Sequence, residues 1–99
     1  MRVMILQNNS INITYMQQLK SQNLKILAKR IKELRLQKSN SLNKFVFSKG
    51  NVTSATWSRV ENALVDVKFS TLIQISAMLD IKIDELLKNL NFNYSFEEN

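Results

Sequence analysis

The sequence predicts an all-α fold of five helices, a compact domain resting on three observations. Apolar residues recur at three- and four-residue spacings in successive segments from Leu24 to Leu87. Residues that favour helix N-caps, Ser41 and Thr53, stand just before two of those segments. Gly50, the only glycine in 99 residues, follows directly on one of them and suits a chain reversal at positive φ.

From about Leu19 to Lys38 the residues Leu24, Leu27, Ala28, Ile31 and Leu34 share one face, with lysines and Arg30 opposite, which predicts an amphipathic helix of about five turns. Arg35 falls close to the apolar stripe, so its guanidinium needs a buried partner or an outward path for its stem. Ser39, Asn40 and Ser41 break the pattern, with Asn40 suited to a left-handed helix end. Ser41 then opens a second helix to about Lys49 whose buried set is Leu42, Phe45 and Val46. After Gly50 a third helix runs from Thr53 to Asn62. It carries Trp57, Val60 and Glu61 on one side, and Ser54, Ala55, Ser58, Arg59 and Asn62 largely on the other. That second side is short, hydroxyl-bearing and amide-bearing, with one guanidinium; solvated helix faces are normally richer in Glu and Lys.

The connection from Ala63 to Lys68 contains Leu64, Val65 and Val67, apolar for a loop. Phe69 to Leu79 is predicted helical with Leu72, Ile75, Ser76 and Leu79 inward, and a break at Asp80 and Ile81 follows. A last helix, Ile83 to about Asn89, closes the core with Ile83, Leu86 and Leu87. Asp84 and Glu85 complement its N-terminal dipole. The chain thus divides into an N-terminal arm or hairpin (residues 1–18), a helical domain (19–89) and a C-terminal tail (90–99).

Composition narrows the function. With no cysteine, disulfides, thiolate nucleophiles and cysteine-containing metal sites are excluded; with no histidine, the commonest general base and metal ligand are missing. No paired carboxylates, nucleophile with base, or phosphate-cradling glycines stand at meaningful spacing, so the expectation is a non-enzyme with no catalytic residues, no metal and no cofactor. No apolar run approaches the roughly eighteen residues of a membrane span, and Met1 to Leu6 is too short for a signal peptide, so a cytoplasmic location is expected. The formal charge of +6 is uneven. Between Lys20 and Lys44 eight cations face Glu33 alone, whereas from Phe69 onward Lys82 and Lys88 face five acids. A basic first half suggests either a polyanion approached from one side or a solvated basic helix.

Residues 1–15 leave three readings open. Val3, Ile5, Ile11, Ile13 and Tyr15 alternate with period two around Asn8, Asn9 and Ser10, as in a small β-hairpin. The same stretch also fits a disordered arm that follows a nucleic-acid backbone, or sequence upstream of a true start at Met16.

The stretch from Leu27 to Leu87 resembles the xenobiotic-response-element or Cro and phage-repressor type of helix-turn-helix domain. The segments that carry the resemblance are IKELR at Ile31 to Arg35, SRVEN at Ser58 to Asn62, FSTLIQISAML at Phe69 to Leu79 and IDELL at Ile83 to Leu87. The resemblance implies a structural ion pair between Arg35 and Glu61, bracing the first helix against a recognition helix, Thr53 to Asn62, that enters the major groove of double-stranded DNA. It implies base contacts from Ser54, Ala55, Ser58 and Arg59, and phosphate contacts from Ser41, Lys44, Thr53, Thr56 and Asn62. Capping and solvation are the competing roles for Ser41 and Lys44.

Several positions depart from the pattern. The turn Gly50, Asn51, Val52 is one residue longer than usual, Leu42 stands where a polar residue near DNA is frequent, and Ala55 offers only a methyl to meet a thymine. Trp57 stands where Ile or Val is common and reads as core. Ala63 and Val67 stand where glycine and proline are frequent, which leaves room for the third helix to run on.

The function implied is a sequence-specific DNA-binding transcriptional regulator, a repressor that occupies its operator as a homodimer. Leu64, Val65, Phe92, Tyr94 and Phe96 are the candidate dimer surface. The alternative is a helical protein-interaction module, an antitoxin or adaptor, that keeps the fold without specific DNA binding; the low charge of the third helix supports it. No small-molecule inducer is indicated.

Overall fold

The computed structural model describes residues 5–94, with side chains from residue 15 onward. The described residues form five helices and no strand: α1 (Ile5–Lys38), α2 (Leu42–Lys49), α3 (Ser54–Glu61), α4 (Phe69–Met78) and α5 (Ile83–Leu87). The all-α expectation holds, and the helix boundaries predicted from Ser41 to Leu79 fall within a residue or two of those observed.

The N-terminal hairpin does not form. Ile5 to Tyr15 are the first turns of α1, which begins about nine turns before Lys38 by helix geometry. Elongating an existing helix costs far less than nucleating a new element, and residues 5–38 contain neither glycine nor proline to stop it. A period-two alternation over so few residues has no sheet to join here. Val3 lies outside the described residues, as does Phe96 in the tail.

Helices α1 to α5 each contribute to one core. Leu27 and Ile31 of α1 meet Phe45 and Val46 of α2, Trp57 and Val60 of α3, Ile75 and Met78 of α4, and Leu86 of α5. Trp57 is fully buried, with the Phe45 ring packed edge-on against it at a centroid separation of 5.0 Å. The longer turn is filled: Val52 is buried in the same core, which anchors the chain between Gly50 and α3.

The helix ends show how the sequence stops each element. Ser41 Oγ accepts from the Lys44 amide and Thr53 Oγ1 from the Thr56 amide, as N-caps should. Gly50 ends α2 at φ +83°. Asn40 does not take the left-handed conformation expected of it. The end of α1 is instead satisfied by Arg35, whose Nη1 donates to the carbonyls of Ser39 and Asn40 at 3.1 and 3.2 Å.

Helix α3 stops at Glu61 and does not run on, because Ala63 itself adopts φ +57°. The Leu64 amide donates to the Arg59 carbonyl at 2.9 Å and the Ala63 amide to that of Val60 at 3.1 Å, the double closure of a Schellman end. The same closure ends α4, with Asp80 at φ +61°. A left-handed alanine costs roughly 1 to 2 kcal/mol that a glycine does not pay, offset in part by the freer unfolded chain. Ala63→Gly is therefore expected to raise stability by about 1 kcal/mol, moving the thermal midpoint up by roughly 4 to 8 °C. An unchanged or lower midpoint in a calorimetric scan would contradict the strain assigned to Ala63.

Arg30 is not a solvated member of the outer face of α1. It is half-buried, with Nε donating to the Leu86 carbonyl at 3.0 Å and Nη2 to that of Glu85 at 2.8 Å, so it closes the end of α5. The tail is tied to α1 as well. The Asn23 side chain donates to the Asn93 carbonyl and accepts from the Asn93 amide at 2.8 and 2.7 Å, pairing with it as a strand's peptide group would. Phe92 packs on the core rim.

Candidate nucleic-acid interface

The rear of α3 is fixed by a buried polar cluster. Arg35 Nε donates to Glu61 Oε2 at 2.9 Å and Arg35 Nη2 to Glu61 Oε1 at 2.7 Å, a two-pronged pair whose side chains are 6% and 5% exposed. Glu61 Oε2 also accepts from Trp57 Nε1. The carboxylate therefore joins α1 to α3 and orients the indole, while Arg35 spends its remaining donor on the end of α1. Hydrogen bonding to Glu61 raises the Arg35 pKa above its ordinary value, against the opposing pull of burial. With its pKa raised, the Arg35 guanidinium stays charged well above neutral pH, and the stability that its charge contributes is lost on the alkaline side only as pH rises through strong alkali. The structural pairing expected of Arg35 and Glu61 is thus present; the Trp57 bond was not legible, since nothing in the sequence aims an indole at a carboxylate one turn away.

The front of α3 is open. Ala55 and Arg59 are exposed, and Ser54 and Ser58 are half-buried beside them. These four residues, the expected base-facing set, lie on the side away from Trp57 and Val60, as their spacing required. Arg59 makes no salt bridge among the described residues, so its fork is available.

The expected phosphate set divides. Lys44 is exposed. Ser41 and Thr53 serve as caps, and Thr53 Oγ1 also donates to Thr56 Oγ1 at 3.1 Å, which leaves the Thr56 hydroxyl hydrogen free to donate. Asn62 is exposed but folded back along α3: its side-chain amide donates to the Ser58 carbonyl at 2.8 Å and lies 3.3 Å from Ser58 Oγ. A phosphate would have to compete with that bond, so Asn62 is the weakest member of the set.

Other features lie elsewhere. An open groove of about 660 Å³ is lined by α1 and the α5 end, with Lys29, Lys88, Glu33 and Glu85 of both signs and Arg30 already committed. Among the described residues no three acids are placed to hold a metal ion, and no helix is long and apolar enough to cross a membrane. Phe47, outside the predicted buried set of Leu42, Phe45 and Val46, is on the outer face of α2 and 91% exposed. No protein-family model and no curated protein sequence matches this chain.

Proposed function

We propose that this chain is a sequence-specific DNA-binding transcriptional regulator, a repressor that acts in the cytoplasm by placing α3 in the major groove of its operator. The observation that carries the reading is the two-sidedness of α3. Its rear is locked to α1 through Arg35, Glu61 and Trp57, and its front presents short polar side chains around one available guanidinium. A recognition helix needs this combination, because readout of base edges demands a rigid mount and a face that fits closely.

In this reading Arg59 bonds guanine O6 and N7, Ala55 offers a methyl to thymine, and Ser54 and Ser58 contact neighbouring base edges. Lys44, Thr56 and the α2 and α3 N-termini hold phosphates and set register. One helix covers few bases, so two copies on half-sites about 34 Å apart supply useful specificity. The excess positive charge of α1 adds long-range attraction.

The test is fluorescence anisotropy on the DNA upstream of the chain's own gene at two salt concentrations, with Arg59→Ala beside the parent. Affinity is expected to fall with rising salt, and the substitution to cost about 1 to 3 kcal/mol on the preferred duplex with little change on random DNA. Parent binding no tighter to that duplex than to random DNA would reject the proposal. The alternative, a protein-interaction module, is favoured by exposed Phe47; it would then be pursued by asking whether Phe47→Ser abolishes capture of a partner.

A further inference from the structure

The outer face of α4 carries an apolar row that the DNA-binding reading leaves unused. Phe69 is 72% exposed and Ile73, one turn on, 38% exposed; Ala77, one turn further, is exposed too. All ten residues of α4 are uncharged, in a chain with net charge +6. Exposed Ser70 and Gln74 flank this row, so the apolar part of the face is the single line Phe69, Ile73 and Ala77.

We propose that this face pairs with the same face of a second copy of the chain, the two α4 helices antiparallel across a two-fold axis at Ile73. Three features point to a copy as the occupant. First, the stripe is self-complementary: about an axis at Ile73, large Phe69 of each copy lies opposite small Ala77 of the other, and Ile73 meets Ile73. Second, the ends match in charge. Lys68 precedes α4 and Asp80 follows it, both exposed and neither in a salt bridge among the described residues; antiparallel packing brings each Lys68 to the end of the other helix, near Asp80. Third, two molecules of high positive charge repel, so they can approach through a face that carries none.

This deepens the DNA-binding proposal by naming its partner surface, and it rests on that reading only for the dimer's purpose. The expected dimer surface divides: Val65 and Phe92 pack on the core rim while Leu64 and Tyr94 are exposed, and Phe69 and Ile73 add an apolar row that it did not include. Phe69 and Ile73 escaped notice because alternation of burial along α4 depends on where α5 lies, which spacing does not state.

The test uses the full chain without DNA. Sedimentation equilibrium is expected to show a monomer–dimer equilibrium with a dissociation constant on the order of 10 μM, since one helix face sits at the low end of interface sizes. Ile73→Glu places two like charges on the axis and is expected to weaken pairing by about 100-fold or more while the helical circular dichroism spectrum stays that of the parent. The chain has no cysteine, so Ile73→Cys reports directly: helices 8 to 10 Å apart bring the two sulfurs within bonding range, and mild oxidation is expected to give a covalent dimer. Phe47→Cys, far more exposed than Ile73 but off the face, is a stringent control, since accessibility alone would make it the faster to cross-link. Mixing Phe69→Cys with Ala77→Cys is expected to give the mixed dimer faster than either gives its own.

A parent that stays monomeric at high micromolar concentration, or an Ile73→Cys that cross-links no faster than Phe47→Cys, would overturn the proposal. Cross-linking at Ile73 without DNA binding would leave the pairing standing and reject the regulator reading; specific DNA binding without cross-linking would do the reverse.

Discussion

Glu61→Ala is expected to destabilise the domain by about 3 to 5 kcal/mol, the usual consequence of leaving a buried charge without its partner. Arg35 would keep its bonds to Ser39 and Asn40 but lose both carboxylate contacts, and the Trp57 indole N–H would lose its acceptor. For a domain of this size that lowers the thermal midpoint by roughly 12 to 40 °C. DNA affinity should fall only as far as the folded fraction does. A double-mutant cycle with Arg35→Met separates the pair from the background: if the two residues act as one unit, adding the second change costs far less than the first. A Glu61→Ala protein that melts with the parent yet loses DNA binding would show that Glu61 serves the interface and not the fold.

Trp57→Ala is expected to cost a similar 3 to 5 kcal/mol through the cavity left among Phe45, Val60 and their neighbours. Trp57→Phe keeps most of the ring and removes the N–H, so its smaller cost, about 1 to 2 kcal/mol, measures the bond to Glu61 plus the lost ring area. The ordering is the informative part. Equal losses for the two variants would mean that the Glu61 bond, and not the packing, dominates at this position. Chemical denaturation followed by circular dichroism reads both, since the chain's only tryptophan is the residue changed.

How much of this was legible follows from which signals are local. Leu27, Ile31, Phe45 and Val60 announce their burial by helical spacing, Gly50 its positive φ by being glycine, and Ser41 and Thr53 their caps by side-chain chemistry. Arg35 stood on an apolar stripe, which demanded a partner, and Glu61 was the acid on the packed side of α3.

The misses depend on context. The first turns of α1 carry a strand-like alternation that helix propagation overrides. Ala63 ends its helix without glycine, so the turn it makes was invisible to composition, whereas at Asp80 the break was expected and only its left-handed geometry was not. Arg30 looked like a solvated residue and Asn23 gave no signal, because their acceptors, the α5 carbonyls and the Asn93 carbonyl, lie more than fifty positions away. At the candidate interface the front of α3 was legible by register alone, whereas the folding back of Asn62 along α3 needed coordinates.

The most direct test of the central claim, that the front of α3 reads DNA, is selection of preferred duplexes from a randomised pool by the parent and by Arg59→Ala, followed by sequencing. The account predicts an enriched motif with two-fold related halves one helical turn apart. In each half one guanine position should lose its preference in the variant while the others keep theirs. No enrichment by the parent, or a motif that Arg59→Ala leaves intact at every position, would contradict it.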